Sequence, residues 1–107
     1  MSKIFGAYIF LADGFSAETH SSVQESSAFK IHLIGIAPER VDDALTIAKR
    51  LADEGVKFIE LCGGFGPIWI SKIKDATAHR VPVGGVFYGP EDRRPLLELK
   101  NEIRSKK

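Results

Sequence analysis

Apolar residues gather into four short blocks along the chain, and each block has the length of a β-strand. Residues 3–11 are almost continuously apolar and rich in Phe, Tyr and Ile, which is typical of a strand covered on both faces. Residues 29–36 form a second block, whose alternate side chains point to opposite faces. Residues 56–62 and 81–88 are two more such blocks. The pattern therefore predicts four strands.

Elsewhere, apolar residues recur every three to four positions, which is the period of an α-helix. Residues 38–54 give the clearest example, with one apolar stripe, acidic residues near the start and Gly55 placed to end the helix. Residues 68–78 resume this spacing. A final helix is marked by Leu96, Leu99 and Ile103. The chain thus contains three predicted helices that follow the second, third and fourth strands.

Residues 16–27 are the one long segment without a clear period. Ser16 can cap a short helix, but the four serines at positions 21, 22, 26 and 27 disfavour one, so we expect a short helix or an ordered loop. If this connection is not helical, the second strand can run antiparallel to the first. We favour parallel strands and leave the alternative open.

Strands that alternate with helices indicate right-handed crossovers and a mostly parallel sheet. We therefore predict a single α/β domain over residues 1–107, with four mostly parallel strands in an open three-layer sandwich or a half-barrel-like arrangement. Such a sheet has two exposed edges unless another subunit or a terminal segment covers them. A homo-oligomer is the expected state.

Composition narrows the classes of function. Fifteen Lys and Arg against fourteen Asp and Glu give a net charge of +1, so we expect neither nucleic acid nor a membrane surface as partner. The apolar run at residues 3–12 is too short to span a membrane and meets Asp13 without a cleavage signal. The single cysteine is consistent with a reducing compartment, so a cytoplasmic location is predicted.

The most unusual local sequence is the glycine-rich segment of residues 62–67. In a parallel sheet, ligands bind beyond the carboxyl ends of the strands, and this segment follows the third predicted strand. Glycine allows a sharp turn and close approach to a ligand, and the helix that starts near Pro67 can present N–H groups to a carboxylate or phosphate. A tight turn used only for packing is the alternative. The predicted ligand-binding residues are Gly63, Gly64, Phe65, Gly66 and, after the last strand, Tyr88.

The same segment matches neither the dinucleotide-binding glycine pattern nor the phosphate loop of nucleotide hydrolases. The three histidines and one cysteine also lack the short spacings of zinc ligands. We therefore predict no metal and no cofactor.

Three residues are candidates for catalysis, although the sequence does not decide whether the protein is an enzyme. Cys62 ends a strand next to a predicted helix start, where a thiol can become nucleophilic, but a free cysteine is also a common small core residue. Glu60 lies in an apolar strand, where a buried carboxylate needs a partner. His32 is the histidine expected to point into the sheet layer. A thiol-dependent enzyme and an oligomeric scaffold without a ligand are the alternatives to a small-molecule binder.

The block Glu60-Leu61-Cys62-Gly63-Gly64-Phe65-Gly66-Pro67 resembles a family of small, mostly bacterial proteins known as a domain of unknown function. The similarity extends over most of the chain and includes Gly14 and Phe15 after the first strand and the closing Pro82-Val83-Gly84 with Tyr88 and Gly89. The resemblance implies a compact α/β domain. It transfers no catalytic residues.

Overall fold

A five-stranded sheet forms the centre of the molecule in the computed structural model, which describes residues 3–106. The strands, in chain order, are β1 (Ile4–Leu11), β2 (Ser21–Glu25), β3 (Phe29–Ile36), β4 (Phe58–Leu61) and β5 (Val83–Gly85). The helices are α1 (Asp43–Asp53), α2 (Ile68–Ala76) and α3 (Arg93–Ser105), and short 3₁₀ turns at Pro38–Arg40 and Pro90–Asp92 precede α1 and α3.

The strands are arranged in the order β2-β3-β1-β4-β5, so the first strand of the chain is the central one. β1 pairs in parallel with β3 and β4, and β4 pairs in parallel with β5. This confirms an α/β fold with a mostly parallel sheet, in which the first two predicted strands are parallel.

The prediction of four strands is wrong by one, because residues 16–27 contain β2, which pairs antiparallel with β3. All five residues of β2 are exposed, so neither face of this edge strand carries the apolar alternation that reveals a strand in sequence. Ser26 closes the hairpin: its Oγ accepts the N–H groups of Ala28 and Phe29, both at 3.1 Å.

Both long crossover helices lie on the same face of the sheet. The connections β3-α1-β4 and β4-α2-β5 move across the sheet in the same direction, and right-handed crossovers of one direction place their helices on one side. The core between the helices and this face contains alternate residues of the strands together with the buried stripe of α1, namely Ala7, Ile9, Ile34, Ile36, Ile59 and Leu61 with Ala44, Ile47, Ala48 and Leu51. Of the two arrangements predicted, the three-layer sandwich needs helices on both faces, whereas α1 and α2 both pack on this one.

The opposite face carries a set of aromatic and branched side chains that we call the aromatic face. The connection from β1 to β3 crosses the sheet in the opposite direction from the other two. A helix in this connection would have covered this face, but the segment forms β2 instead. The aromatic face is formed by the alternate strand residues Ile4, Tyr8, Phe10, Phe29, Ile31, Leu33 and Phe58, with Phe15 from the loop after β1.

Two glycines make room for rings on this face. A Cβ at Gly6 would overlap the ring of Phe58, and a Cβ at Gly35 would come within 2.6 Å of the Phe15 ring. The rings of Tyr8 and Phe58 meet edge to face at 6.0 Å between centroids.

The C-terminal helix and the last strand differ in detail from the predicted elements. Only residues 83–85 of the block 81–88 pair as β5, while Val86, Phe87 and Tyr88 continue as an exposed segment. None of the residues of α3, Arg93–Ser105, is buried. No helix within residues 3–106 is long and apolar enough to cross a membrane.

Candidate functional site

The carboxyl ends of β1 and β4 lie side by side at one edge of the molecule. The chain leaves β1 toward β3 and leaves β4 toward β5, so the two loops diverge there, which is where open α/β sheets bind ligands. The Leu11 N–H, at the end of β1, donates to Sγ of Cys62 at 3.3 Å. The predicted glycine-rich segment is thus anchored directly to the central strand.

Local hydrogen bonds and one buried ring hold the loop of residues 62–67 in place. The Phe65 N–H donates to the Cys62 carbonyl at 3.1 Å, and Gly66 then adopts a φ of 76°, which side-chain-bearing residues rarely tolerate. The N–H of Trp69 donates to the Gly66 carbonyl at 3.3 Å, so this helix-start donor is used within the turn. Phe65 is buried and packs edge to face on Trp69.

One cavity of about 230 Å³ opens between this loop, the segment after β5 and α3, and we call it the basic cavity. Its two cationic side chains, Arg93 and Lys100, both come from α3, and no acidic side chain of the described residues lines it. Its walls are formed by Leu61, Cys62, Gly63, Gly66, Pro67, Ile70, Gly85, Val86, Phe87, Tyr88 and Leu96.

A second cavity, of about 640 Å³, lies between the ends of β1 and the far end of α3, and we call it the wide cavity. It is lined by Leu11, Ala12, Asp13, Pro38, Gly64, Ile103 and Lys106. Helix α3 therefore borders both cavities. Its first half lines the basic cavity, and its C-terminal end lines the wide cavity.

The structure distributes the predicted ligand-binding residues over three places. Gly63, Gly66 and Tyr88 line the basic cavity, whereas Gly64 lines the wide cavity. Phe65 faces the core, where its ring anchors the loop. The predicted set is therefore split, with three of its members in one cavity.

The three catalytic candidates do not converge. Glu60 is exposed on the aromatic-face side of β4, where it is in register with Tyr8 and Gly84. His32 lies on the other face, in register with Ala7, a core residue beneath the helices. Glu60 is thus not the buried carboxylate that its apolar strand predicts.

His32 is half-buried beside positively charged side chains. Burial, and then the positive charge of Arg50, lowers the pKa of His32 below its ordinary value of 6.5. The other two histidines contact residues other than Cys62. The ring of His20 stacks on that of Phe15 with 4.2 Å between centroids, and Nε2 of His79 lies 3.1 Å from Oδ1 of Asp75. Cys62 itself is half-buried and lines the basic cavity.

Arg93 and Lys100 are not among the residues predicted from sequence, because the last helix is predicted only from its apolar residues Leu96, Leu99 and Ile103. The spacing of Arg93, Leu96 and Lys100 does place the three on one side of a helix, and this was the signal that could have identified them. Which side faces the strand ends depends on how the helix docks, which the spacing does not contain. Within residues 3–106, no cluster of three His, Cys, Asp or Glu side chains could hold a metal ion.

Comparison with known proteins gives a match to a family model. A model described as a family of unknown function (DUF6506) matches residues 5–101. No curated protein and no solved structure matches the chain. Because the family match covers most of the sequence, the chain belongs to the family of unknown function DUF6506.

Proposed function

We propose that the protein binds a small anionic molecule with an apolar body in the basic cavity. The observation that carries this proposal is the position of Arg93 and Lys100, two cations that face the same glycine-lined strand end without an acidic neighbour in the lining. A few placed polar groups in a mostly apolar concavity are typical of small-molecule sites.

The chemistry of the lining indicates which part of the ligand goes where. Arg93 can hold a carboxylate or phosphate through two parallel N–H bonds, and Lys100 adds a second positive charge. Ile70, Phe87 and Tyr88 offer apolar contact to the rest of the molecule. The volume of about 230 Å³ is below the roughly 300–1,000 Å³ of sites for drug-sized ligands, so the ligand is a small metabolite.

Binding rather than catalysis is the proposed activity. A nucleophilic cysteine needs an adjacent base or a cationic neighbour that stabilises the thiolate. Sγ of Cys62 accepts the N–H of Leu11, His32 and Glu60 project from opposite faces of the sheet, and the two cations that share the cavity with Cys62 are assigned here to the anionic ligand.

The test is a thermal-shift titration with inorganic phosphate and with aromatic and branched-chain carboxylates. We expect a concentration-dependent rise in melting temperature for at least one of these probes, since a ligand that binds only the folded state stabilises it. The double variant Arg93→Gln/Lys100→Gln should abolish this rise. Its matched control is Arg94→Gln/Arg104→Gln, which makes the same change in net charge on the same helix outside the cavity lining.

A second readout locates the bound probe. Because Cys62 lines the basic cavity, a bound ligand should slow its alkylation by iodoacetamide. The proposal fails if no probe shifts the melting temperature. It also fails if the control variant loses the shift as completely as Arg93→Gln/Lys100→Gln does.

A further inference from the structure

The aromatic face leaves large apolar side chains in contact with solvent. Ile4 is 44% exposed and Phe29 is 43% exposed, and the two residues are direct neighbours in register on β1 and β3. Tyr8, four residues further along β1 on the same face, is 37% exposed. These residues form one continuous patch, and contiguous exposed apolar patches mark interaction sites.

No described part of the chain is free to cover this patch. The core places α1 and α2 on the opposite face, and the connection that would supply a helix here forms β2 instead. Helix α3 borders the two cavities at the strand ends. Residues 3–106 therefore leave the patch open to a second molecule.

The charges on the patch indicate which kind of molecule this is. Among the described strand residues of this face, Glu60 is the one charged side chain, and it lies on β4, toward the edge of the patch. Lys30, on β3, points to the other face, where its Nζ lies over the Phe5 ring. An anionic membrane or a nucleic acid would require basic residues here, whereas a protein interface is depleted of charge at its centre.

The area agrees with a pair of identical chains. The five strands have 8, 5, 8, 4 and 3 residues, so ~3.3 Å per residue and ~4.8 Å between strands give a face of roughly 440 Å² before side-chain relief is counted. A standard interface buries about 800 Å² of accessible surface on each partner. The flat face supplies roughly half of that area, and the relief of its aromatic side chains adds to it when two sheets interdigitate at about 10 Å, so the face can form the centre of a dimer interface.

We infer that the aromatic face is the interface of a homodimer, in which a second copy of this chain packs its own aromatic face against the first. A twofold axis makes such a contact self-complementary, so the exposed patch of every copy is covered by the same event. The interface is the face of the sheet, not its edges, and it is separate from the basic cavity. Loss of ligand binding and loss of the dimer are therefore distinguishable.

Sedimentation or light scattering of the full chain over a concentration series tests the inference. We expect a particle of twice the 11.8 kDa chain mass at micromolar concentration. Ile4→Lys should weaken the dimer on the order of 30-fold or more, because it places a charge in a desolvated contact. Ile68→Lys is the matched control: the same substitution at an apolar side chain that is 67% exposed on α2, away from the aromatic face.

A second variant, Tyr8→Ser, removes a ring from the patch without introducing charge, and circular dichroism checks that each variant keeps its fold. If Ile4→Lys does not fold, the oligomer mass of Tyr8→Ser serves as the test of the interface. A wild-type protein that stays monomeric at 200 μM overturns the inference, and so does a dimer that both variants leave intact or that Ile68→Lys also dissociates. Binding of the monomer to neutral lipid vesicles would assign the face to a lipid surface and would equally overturn it.

Discussion

Replacing Gly66 by alanine isolates the cost of one backbone angle. Gly66 has a φ of 76°, and a Cβ at this position would meet nothing within 4 Å. Gly84 is a matched control, because a Cβ there also meets nothing within 4 Å while its φ lies outside the left-handed region. Comparison of Gly66→Ala with Gly84→Ala therefore removes side-chain contacts as a cause.

The expected difference follows from two terms. Both alanines reduce the entropy of the unfolded chain by a similar amount, which stabilises the protein by about 0.4–1 kcal/mol where the backbone is compatible. Only the alanine at position 66 must adopt the left-handed conformation, which costs about 1–2 kcal/mol. Gly84→Ala should thus be neutral or slightly stabilising, and Gly66→Ala should be less stable than Gly84→Ala by about 1–2 kcal/mol.

Urea denaturation of both variants at one protein concentration measures this difference. For a slope of about 1–3 kcal/mol per molar urea, the midpoints should differ by on the order of 0.5–1 M. Equal midpoints would refute the reasoning, since they would mean that residue 66 carries no strain as alanine or that the loop relaxes into another turn at no cost.

Three further changes probe the core, the aromatic face and the titration of His32. Leu51→Ala, at a fully buried position of α1, should cost about 2–5 kcal/mol in chemical denaturation, whereas Leu97→Ala on α3 should change stability by less than about 0.5 kcal/mol; similar losses would contradict the assigned core. Gly6→Ala forces the ring of Phe58 aside and should destabilise the fold by about 1–3 kcal/mol, with a change in the near-ultraviolet aromatic spectrum as the check. Because burial lowers the pKa of His32, the unfolded chain binds the proton more tightly, so stability is full above pH 6.5 and falls as the pH drops below that value toward the folded-state pKa. His32→Gln should flatten this part of the stability curve, and an unchanged slope would exclude His32 as its origin.

The central strands could be predicted because burial leaves a strong mark on sequence. β1 and β3 are long apolar runs, and α1 carries its buried stripe at regular spacing, so their type and order are readable without a structure. β2 was missed for the converse reason. Residues Ser21–Glu25 are held by backbone hydrogen bonds to β3 and bury no side chain. The pairing alone defines this strand, and its polar sequence contains no apolar pattern from which a strand can be predicted.

The candidate site was predictable in its location but not in its charges. The glycines of residues 63–66 indicate a turn at the end of a strand, and the rule for parallel sheets then places it at the ligand-binding edge. Arg93 and Lys100 reach that edge only because α3 crosses the strand ends, which is a long-range packing outcome. For the same reason, the apolar run of β4 did not reveal that Glu60 would face solvent on a sheet left uncovered by helices.

The central position of β1 also constrains the order in which the chain folds. The hairpin of β2 and β3 joins residues close in sequence and can form on the microsecond scale, but β1 gains its second neighbour only when β4, about fifty residues later, is in place. Until then Ile4–Leu11 presents an unpaired hydrogen-bonding edge together with its aromatic side chains. We therefore expect the late docking of β4 onto β1 to be slow and to leave a nascent or refolding chain exposed to aggregation until it is complete.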